Sequence, residues 1–312
     1  MKPFKTLRLF IIFSIFLQCV ISQGFSQDSF TSDLSRLHVL KDNDSGTINV
    51  YQENNTEPIL VQNAQDKIRP FIHPIIAPDG NGILTEYRPG HHTHQTGIFW
   101  GLKEVNGRDY FMACCTPETE GYYRKLSSEI LLDNGSEVRW QTVYDLLDEY
   151  GKTILTETQI WSMKKENEKY ILDLQWIGLA KTDITIEEFY VGGLFIRMPW
   201  YHGIDGEVMN SDGQINNAAE TKRALWANIG MEIEGRDDWG NIAVFDHKEN
   251  VDFPVPWRVD RELGVGPSRQ IMGDWKLKRG ESETFQYRLI IYMGPPDYIM
   301  LNNEWHEYNI NM

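Results

Sequence analysis

The sequence is short of cysteine, of positive charge and of long apolar runs, and each shortage narrows what the chain can be. Three cysteines stand among 312 residues, at 19, 114 and 115. One falls in the N-terminal stretch discussed below. The other two are neighbours, which an ordinary trans peptide holds in poor geometry for bonding to each other. No disulfide framework and no zinc-type cysteine spacing can be built from them. Lysine and arginine number 30 against 45 aspartates and glutamates, a formal charge of −15. Such a field repels nucleic acid and polyanionic glycans, so neither is an expected partner. No segment reaches the roughly 20 apolar residues that a membrane-spanning helix requires. Helical periodicity of useful length is equally scarce.

The longest apolar stretch is Leu9–Leu17, preceded by Lys2, Lys5 and Arg8 and followed by small and polar residues. That order describes a secretory signal peptide over residues 1–26, with periplasmic or extracellular delivery. Gln18 before Cys19 disfavours a lipid anchor there. Cleavage removes those three cations and takes the formal charge from −15 to −18. Residues 27–312 contain no Pro/Ser-rich linker, low-complexity tract or repeat, and they read as a single domain.

What fills those residues is strand. GTINVYQ, EPILVQ, EVRWQTVYDLL, TILTETQIWSM, KYILDLQWIGL, ITIEEFYVGGLFIRM, NIAVFDH and TFQYRLIIYMG are rich in β-branched and aromatic residues, and several alternate polar with apolar. Turn signals such as DGNG at 79–82 and KRGE at 278–281 separate them. The expected fold is all-β, a large antiparallel two-sheet β-sandwich with the apolar set between the sheets.

Polar residues that interrupt this pattern are the candidates for function. PGHHTHQTGIFWG (89–101) holds three of the eight histidines, followed by Trp100. If the stretch is extended, His92 and His94 project to one side, Cα atoms about 7 Å apart, and His91 faces away. Such a pair can share proton transfer, bind a ligand, hold a turn or chelate a metal. No glutamate follows at the spacing that jelly-roll metal sites use, so no metal and no cofactor are expected. His73 lies in a segment that returns through Glu86 and Arg88, which a hairpin would place beside it. Glu187 and Glu188 interrupt ITIEEFYVGGLFIRM, and one of them must face inward on a strand; Arg197 follows as a partner. An inward carboxylate suits acid/base work, and Glu188 is the candidate beside His92 and His94. Asp246 and His247 end another strand. Trp257 and Arg258 follow in a stiff Pro-Val-Pro-Trp-Arg loop that could present an indole to a sugar face.

Taken together, HPIIAPDGNGILTEYRPGHHTHQTGIFWGLKEVNGRDYF, YVGGLFIRMP, NIAVFDHKENVDFPVPWRV and LKRGESETFQYRLIIYMG resemble the bacterial secreted PmoA-like family, a domain of unknown function labelled methane oxygenase. The family's central His-Pro-His-His-Arg-Gly stands here as His92-Thr93-His94-Gln95-Thr96-Gly97, so two histidines match and Gln95 departs. The label names membrane-embedded metal chemistry, and no span is found here. The family is similar to galactose-mutarotase-like β-sandwiches, which implies a carbohydrate as substrate. By that analogy a histidine, His94 or His92, protonates a ring oxygen while Glu188 removes the anomeric proton. The resemblance leaves epimerase, lyase and glycoside-cleaving activity open, beside a non-catalytic sugar-binding protein and a metal-dependent oxidoreductase. The expected ligand is a neutral or mildly anionic sugar, bound with the help of His73, Arg88, Trp100, Arg197, Asp246, His247, Trp257 and Arg258. Oligomeric state is left open.

Overall fold

A computed structural model describes residues 36–310; the signal-peptide segment and Cys19 lie outside the described residues. In chain order the strands are β1 (Leu37–Asp42), β2 (Thr47–Gln52), β3 (Leu60–Asn63), β4 (Phe71–Ile75), β5 (Ile98–Gly101), β6 (Tyr123–Leu132), β7 (Asn134–Gly135), β8 (Glu137–Leu147), β9 (Thr153–Glu166) and β10 (Lys169–Ala180). They continue with β11 (Ile184–Ile186), β12 (Gly193–Ile196), β13 (Gly206–Asn210), β14 (Trp226–Glu232), β15 (Trp239–Asp246), β16 (Trp257–Val259), β17 (Val265–Pro267), β18 (Trp275–Leu277) and β19 (Ser282–Met293). A helix, α1 (Tyr298–Ile310), closes the described chain.

Two large antiparallel sheets result, one of nine strands in the order β16-β17-β12-β5-β4-β3-β2-β1-β7 and one of eight in the order β13-β14-β15-β19-β10-β9-β8-β6. A small third sheet pairs β11 with β18. Strand alternation builds the core between the two large sheets. In β10 every second residue from Leu172 to Ala180 is buried. Trp176 pairs with Phe285 of β19 in register and stacks on Trp100 of the facing sheet at 4.3 Å between ring centroids. The all-β sandwich expected from the alternating segments is therefore the observed fold.

Both sheets also carry apolar residues on their outer faces, and these faces are covered differently. On the eight-stranded sheet, Ile171, Phe245, Ile290 and Tyr292 pack under Leu301 and Tyr308 of α1. The helix was not foreseen, although Asp297 marks its start: its carboxylate accepts a hydrogen bond from the Met300 amide at 2.9 Å. On the nine-stranded sheet, Phe71, Phe99 and Phe195 form a separate cluster with Phe111, Cys114 and Val191, all from strands and loops of that sheet. Cys114 and Cys115 are bonded to each other beside this cluster, against the expectation that they stay apart. The reason is local: Cys115 takes a φ of 66°, which reverses the chain and brings both side chains together. Among the described residues no helix is long and apolar enough to cross a membrane.

One expected strand divides. ITIEEFYVGGLFIRM is extended only at its ends, as β11 and β12, and Glu187–Gly192 is a loop between them. The Gln270 side chain fills the space beside Gly192, where a Cβ would lie 1.7 Å from its Oε1. Gln270 Nε2 donates to the carbonyls of Lys103 and Glu187, and its Oε1 accepts from the Lys103 amide, so the loop is fastened to the sheet.

Candidate functional site

The outer cluster of the nine-stranded sheet is the floor of a cavity of about 300 Å³. Phe111, Val191 and Phe195 supply the apolar surface, while His91, His92, His94, Gln95, Lys103, Arg258 and Asp260 supply the polar one. A second hollow shares His91, His92, Arg258 and Asp260 with the first and adds Glu220 and Glu262. Both draw on the β4–β5 and β16–β17 loops; the β5–β6 loop and the loop before β12 complete the first, and the β13–β14 loop completes the second.

The histidine stretch is not extended. His92 N–H donates to the Pro89 carbonyl and Gln95 N–H to the His92 carbonyl, so the chain makes successive turns before β5. Gly97 completes the reversal with a φ of 71°, and a Cβ there would sit 2.2 Å from the Ile72 carbonyl oxygen. Coiling in this way corrects the expectation that His91 faces away from His92: the two rings lie 4.0 Å apart, and His92 meets His94 edge to face at 5.8 Å. Arg69, fully buried with its guanidinium 3.6 Å above the Phe99 ring, anchors the turn by donating to the His94 carbonyl at 2.6 Å and to the Phe111 carbonyl.

A carboxylate does meet the histidines, but it is Glu262. Its Oε2 lies 3.3 Å from His92 Nε2, and its Oε1 lies 4.0 Å from His91 Nε2. Arg197, buried behind it, donates to Glu262 Oε2 at 2.8 Å and to the Glu262 carbonyl at 3.0 Å. Burial alone would raise the Glu262 carboxyl, but the Arg197 hydrogen bond and charge, joined by His92 and His91, bring it below the usual carboxylate range. His94 is held far down, at about 3, by burial first and then by Arg69 and His92, so its imidazole is neutral at physiological pH. The cavity's two long cations are already neutralised. Lys103 pairs with Asp109, and Arg258 pairs with Glu220 while lying 5.2 Å from the Tyr190 ring.

Of the residues singled out from sequence, His92, His94 and Arg258 line this cavity, and Arg197 reaches its rim through Glu262. Others are placed elsewhere, for reasons that strand geometry supplies. Trp100 and Trp257 are both buried on the inner side of the nine-stranded sheet, Trp257 donating its Nε1–H to the Ala224 carbonyl at 2.9 Å. Neither indole is a ligand platform; their strand neighbours Phe99 and Arg258 are the ones that face outward. Asp246 is wholly buried, accepting from Asn250 Nδ2 at 2.7 Å and from the Val255 amide at 3.0 Å. His247 is covered by Tyr308 of α1. Glu188 is exposed in the β11–β12 loop, where its amide donates to Asp274, so it is no inward carboxylate beside the histidines. His73 faces a neighbouring hollow with Tyr87 and hydrogen-bonds Thr85 at 3.0 Å; burial lowers its pKa. Arg88 takes a φ of 57° and is not part of the cavity wall.

Gln95, Lys103, Tyr190, Asp260, Glu262 and the anchoring Arg69 were missed. Gln95 had been noted only as a departure from a family pattern. The Asp260–Gly264 turn, in which Asp260 Oδ1 accepts from the Glu262 and Gly264 amides, could be read from an Asp-x-x-x-Gly spacing. Its approach to the histidines could not.

A family of unknown function, DUF6807, matches residues 50–306. The chain belongs to that family. Its description names no activity, and no curated protein matches the sequence. Among solved structures, galactose 1-epimerase from Lactobacillus acidophilus NCFM is 9% identical, with a TM-score of 0.43 and coverage of 84% of this chain and 100% of that one. The galactosidase domain of the alpha-galactosidase-sucrose kinase AgaSK is 10% identical, with a TM-score of 0.41 and coverage of 82% and 41%. The GH36 alpha-galactosidase AgaB from Geobacillus stearothermophilus is 8% identical, with the same TM-score and the same coverage. The chain thus spans about two fifths of the length of these galactosidases.

Proposed function

We propose that this protein binds a neutral or mildly anionic sugar in the histidine-lined cavity, as an exported carbohydrate-binding protein. One observation carries the reading. Gln95 is only 3% exposed and lines the cavity, and its Oε1 has no hydrogen-bond donor within the described protein. A buried amide oxygen without a donor costs about 1–3 kcal/mol, and a ligand hydroxyl in the cavity would relieve that cost once the Gln95 side chain turns toward it. Around it stand the groups that sugars use: neutral His94, the carboxylate of Asp260, and the Tyr190 ring, 57% exposed, as a face for C–H groups. Lys103 is paired with Asp109 and Arg258 with Glu220, which leaves Arg261 as the arginine or lysine of the two hollows without an ion pair among the described residues and disfavours sulfated polymers.

The proposal is one of binding. Acid/base catalysis through Glu188 is set aside, because that residue is exposed on another loop. Calorimetry against neutral mono- and oligosaccharides, uronates and a sulfated glycan tests the reading. Saturable binding of the first two groups, weakened about tenfold or more by Gln95→Leu, is expected. Tight binding of the sulfated glycan that falls steeply with salt, or an unchanged affinity in Gln95→Leu, contradicts it.

A further inference from the structure

The geometry points to a divalent-metal site at the mouth of the cavity, formed by His91, His92 and Glu262 and suited to an imidazole-preferring ion such as Zn²⁺. One ligand atom from each residue lies within 4.8 Å of the others. Two atoms each about 2.1 Å from one ion can be no more than about 4.2 Å apart. His92 Nε2 lies 3.3 Å from Glu262 Oε2 and His91 Nε2 lies 4.0 Å from Oε1, so each imidazole has one carboxylate oxygen within that limit. Any remaining closure falls to His91, whose side chain is 78% exposed.

The set is also held for the task. Arg197 fastens Glu262 Oε2 at 2.8 Å and so holds the carboxylate with Oε2 beside His92 and Oε1 toward His91. Outer groups that orient a ligating carboxylate in this manner are a regular part of metal sites. Asp260 fixes the Glu262 backbone through that residue's amide, and Arg69 fixes the histidine turn from below. Two imidazoles and one carboxylate supply three ligands and leave coordination positions open, an arrangement of binding or catalytic rather than closed structural sites. His91 and His92 border both hollows, so those positions face the space between them. The site itself is independent of the sugar proposal; only the idea that sugar oxygens complete the coordination rests on that reading.

The test is a Zn²⁺ titration of chelator-stripped protein carrying no polyhistidine tag, followed by Co²⁺ substitution and visible spectroscopy. One equivalent should bind, with d–d absorption from Co²⁺, and affinity should fall at least tenfold in His92→Ala and in Glu262→Gln. Glu262→Gln keeps an acceptor for Arg197, so its fold is protected, and His202→Ala should bind as the parent does. Failure to saturate by about 1 mM Zn²⁺, or equal affinity in parent and both variants, overturns the proposal. Sugar titrations run in chelator, and zinc titrations run without sugar, separate failure of this site from failure of the sugar reading.

Discussion

The outer faces of the two sheets begin alike and end differently. Each carries a strip of aromatic and aliphatic residues with histidine and carboxylate close by. On the eight-stranded sheet, α1 lies over the strip, His247 is roofed by Tyr308, and the Trp305 Nε1–H donates to the Asp246 carbonyl. On the nine-stranded sheet, among the described residues only loops cover the strip, and they leave a cavity in which Gln95 Oε1 lacks a donor and two imidazoles share one carboxylate. The difference lies in the cover: Gln95 Oε1 and His247 Nε2 both lack a partner among the described residues, but His247 lies under Tyr308 of α1, whereas Gln95 borders a cavity that a ligand can enter.

That contrast can be broken by mutation. Trp257→Ala empties a fully buried indole position and should cost about 3–5 kcal/mol in denaturant unfolding. Sugar affinity of the folded fraction should be unchanged. A stable variant with lost affinity would return the indole to the ligand site.

Next in size is a pH effect from a carboxylate buried in the interior. Burial raises the Asp246 carboxyl to about 7, although Val255 and Asn250 oppose the shift. A folded pKa above the unfolded value of 3.8 means that the contribution is full below 3.8 and is lost as pH rises through about 7. At about 1.4 kcal/mol per pKa unit the loss is at most about 4–5 kcal/mol. Glu157, pushed by burial to about 7 from 4.5, acts in the same direction. Equilibrium unfolding across this range should therefore show a flatter stability profile for Asp246→Asn than for the parent. Parallel profiles would contradict the burial of a charge at Asp246.

Smaller effects belong to the open face. Gln95→Leu removes an unpartnered polar atom, so the ligand-free protein should be as stable as the parent or about 1 kcal/mol more stable, even as sugar affinity falls. Destabilisation by more than about 1 kcal/mol would show that Gln95 serves the fold. Tyr190→Ala should change stability by no more than about 0.5 kcal/mol, the ring being mostly exposed, while weakening sugar binding severalfold.

The two-sheet architecture was legible because alternation is local: β9, β10 and β19 state their buried faces residue by residue. The histidines were legible as an anomaly of composition, but their geometry was misread. Pro89-Gly90 before them and Gly97 after them are turn residues, and an extended chain was the wrong premise. Glu188 was chosen on parity along a strand that is in fact interrupted after Ile186. Glu262 gave no sign, because its partner Arg197 is 65 residues away and meets it only through the order β17-β12-β5 in the sheet. Trp257 and Asp246 looked available for the same reason: which side of a strand faces another sheet is a property of the assembled sandwich.

The most direct test follows the eight histidine side chains by NMR during titration with a neutral oligosaccharide panel. His91, His92 and His94 should shift with a common saturation curve, while His247 under α1 and His38 on β1 stay fixed. Shifts confined to His247 or His38, or no histidine shift with any sugar, would contradict the assignment of ligand binding to the open face of the nine-stranded sheet.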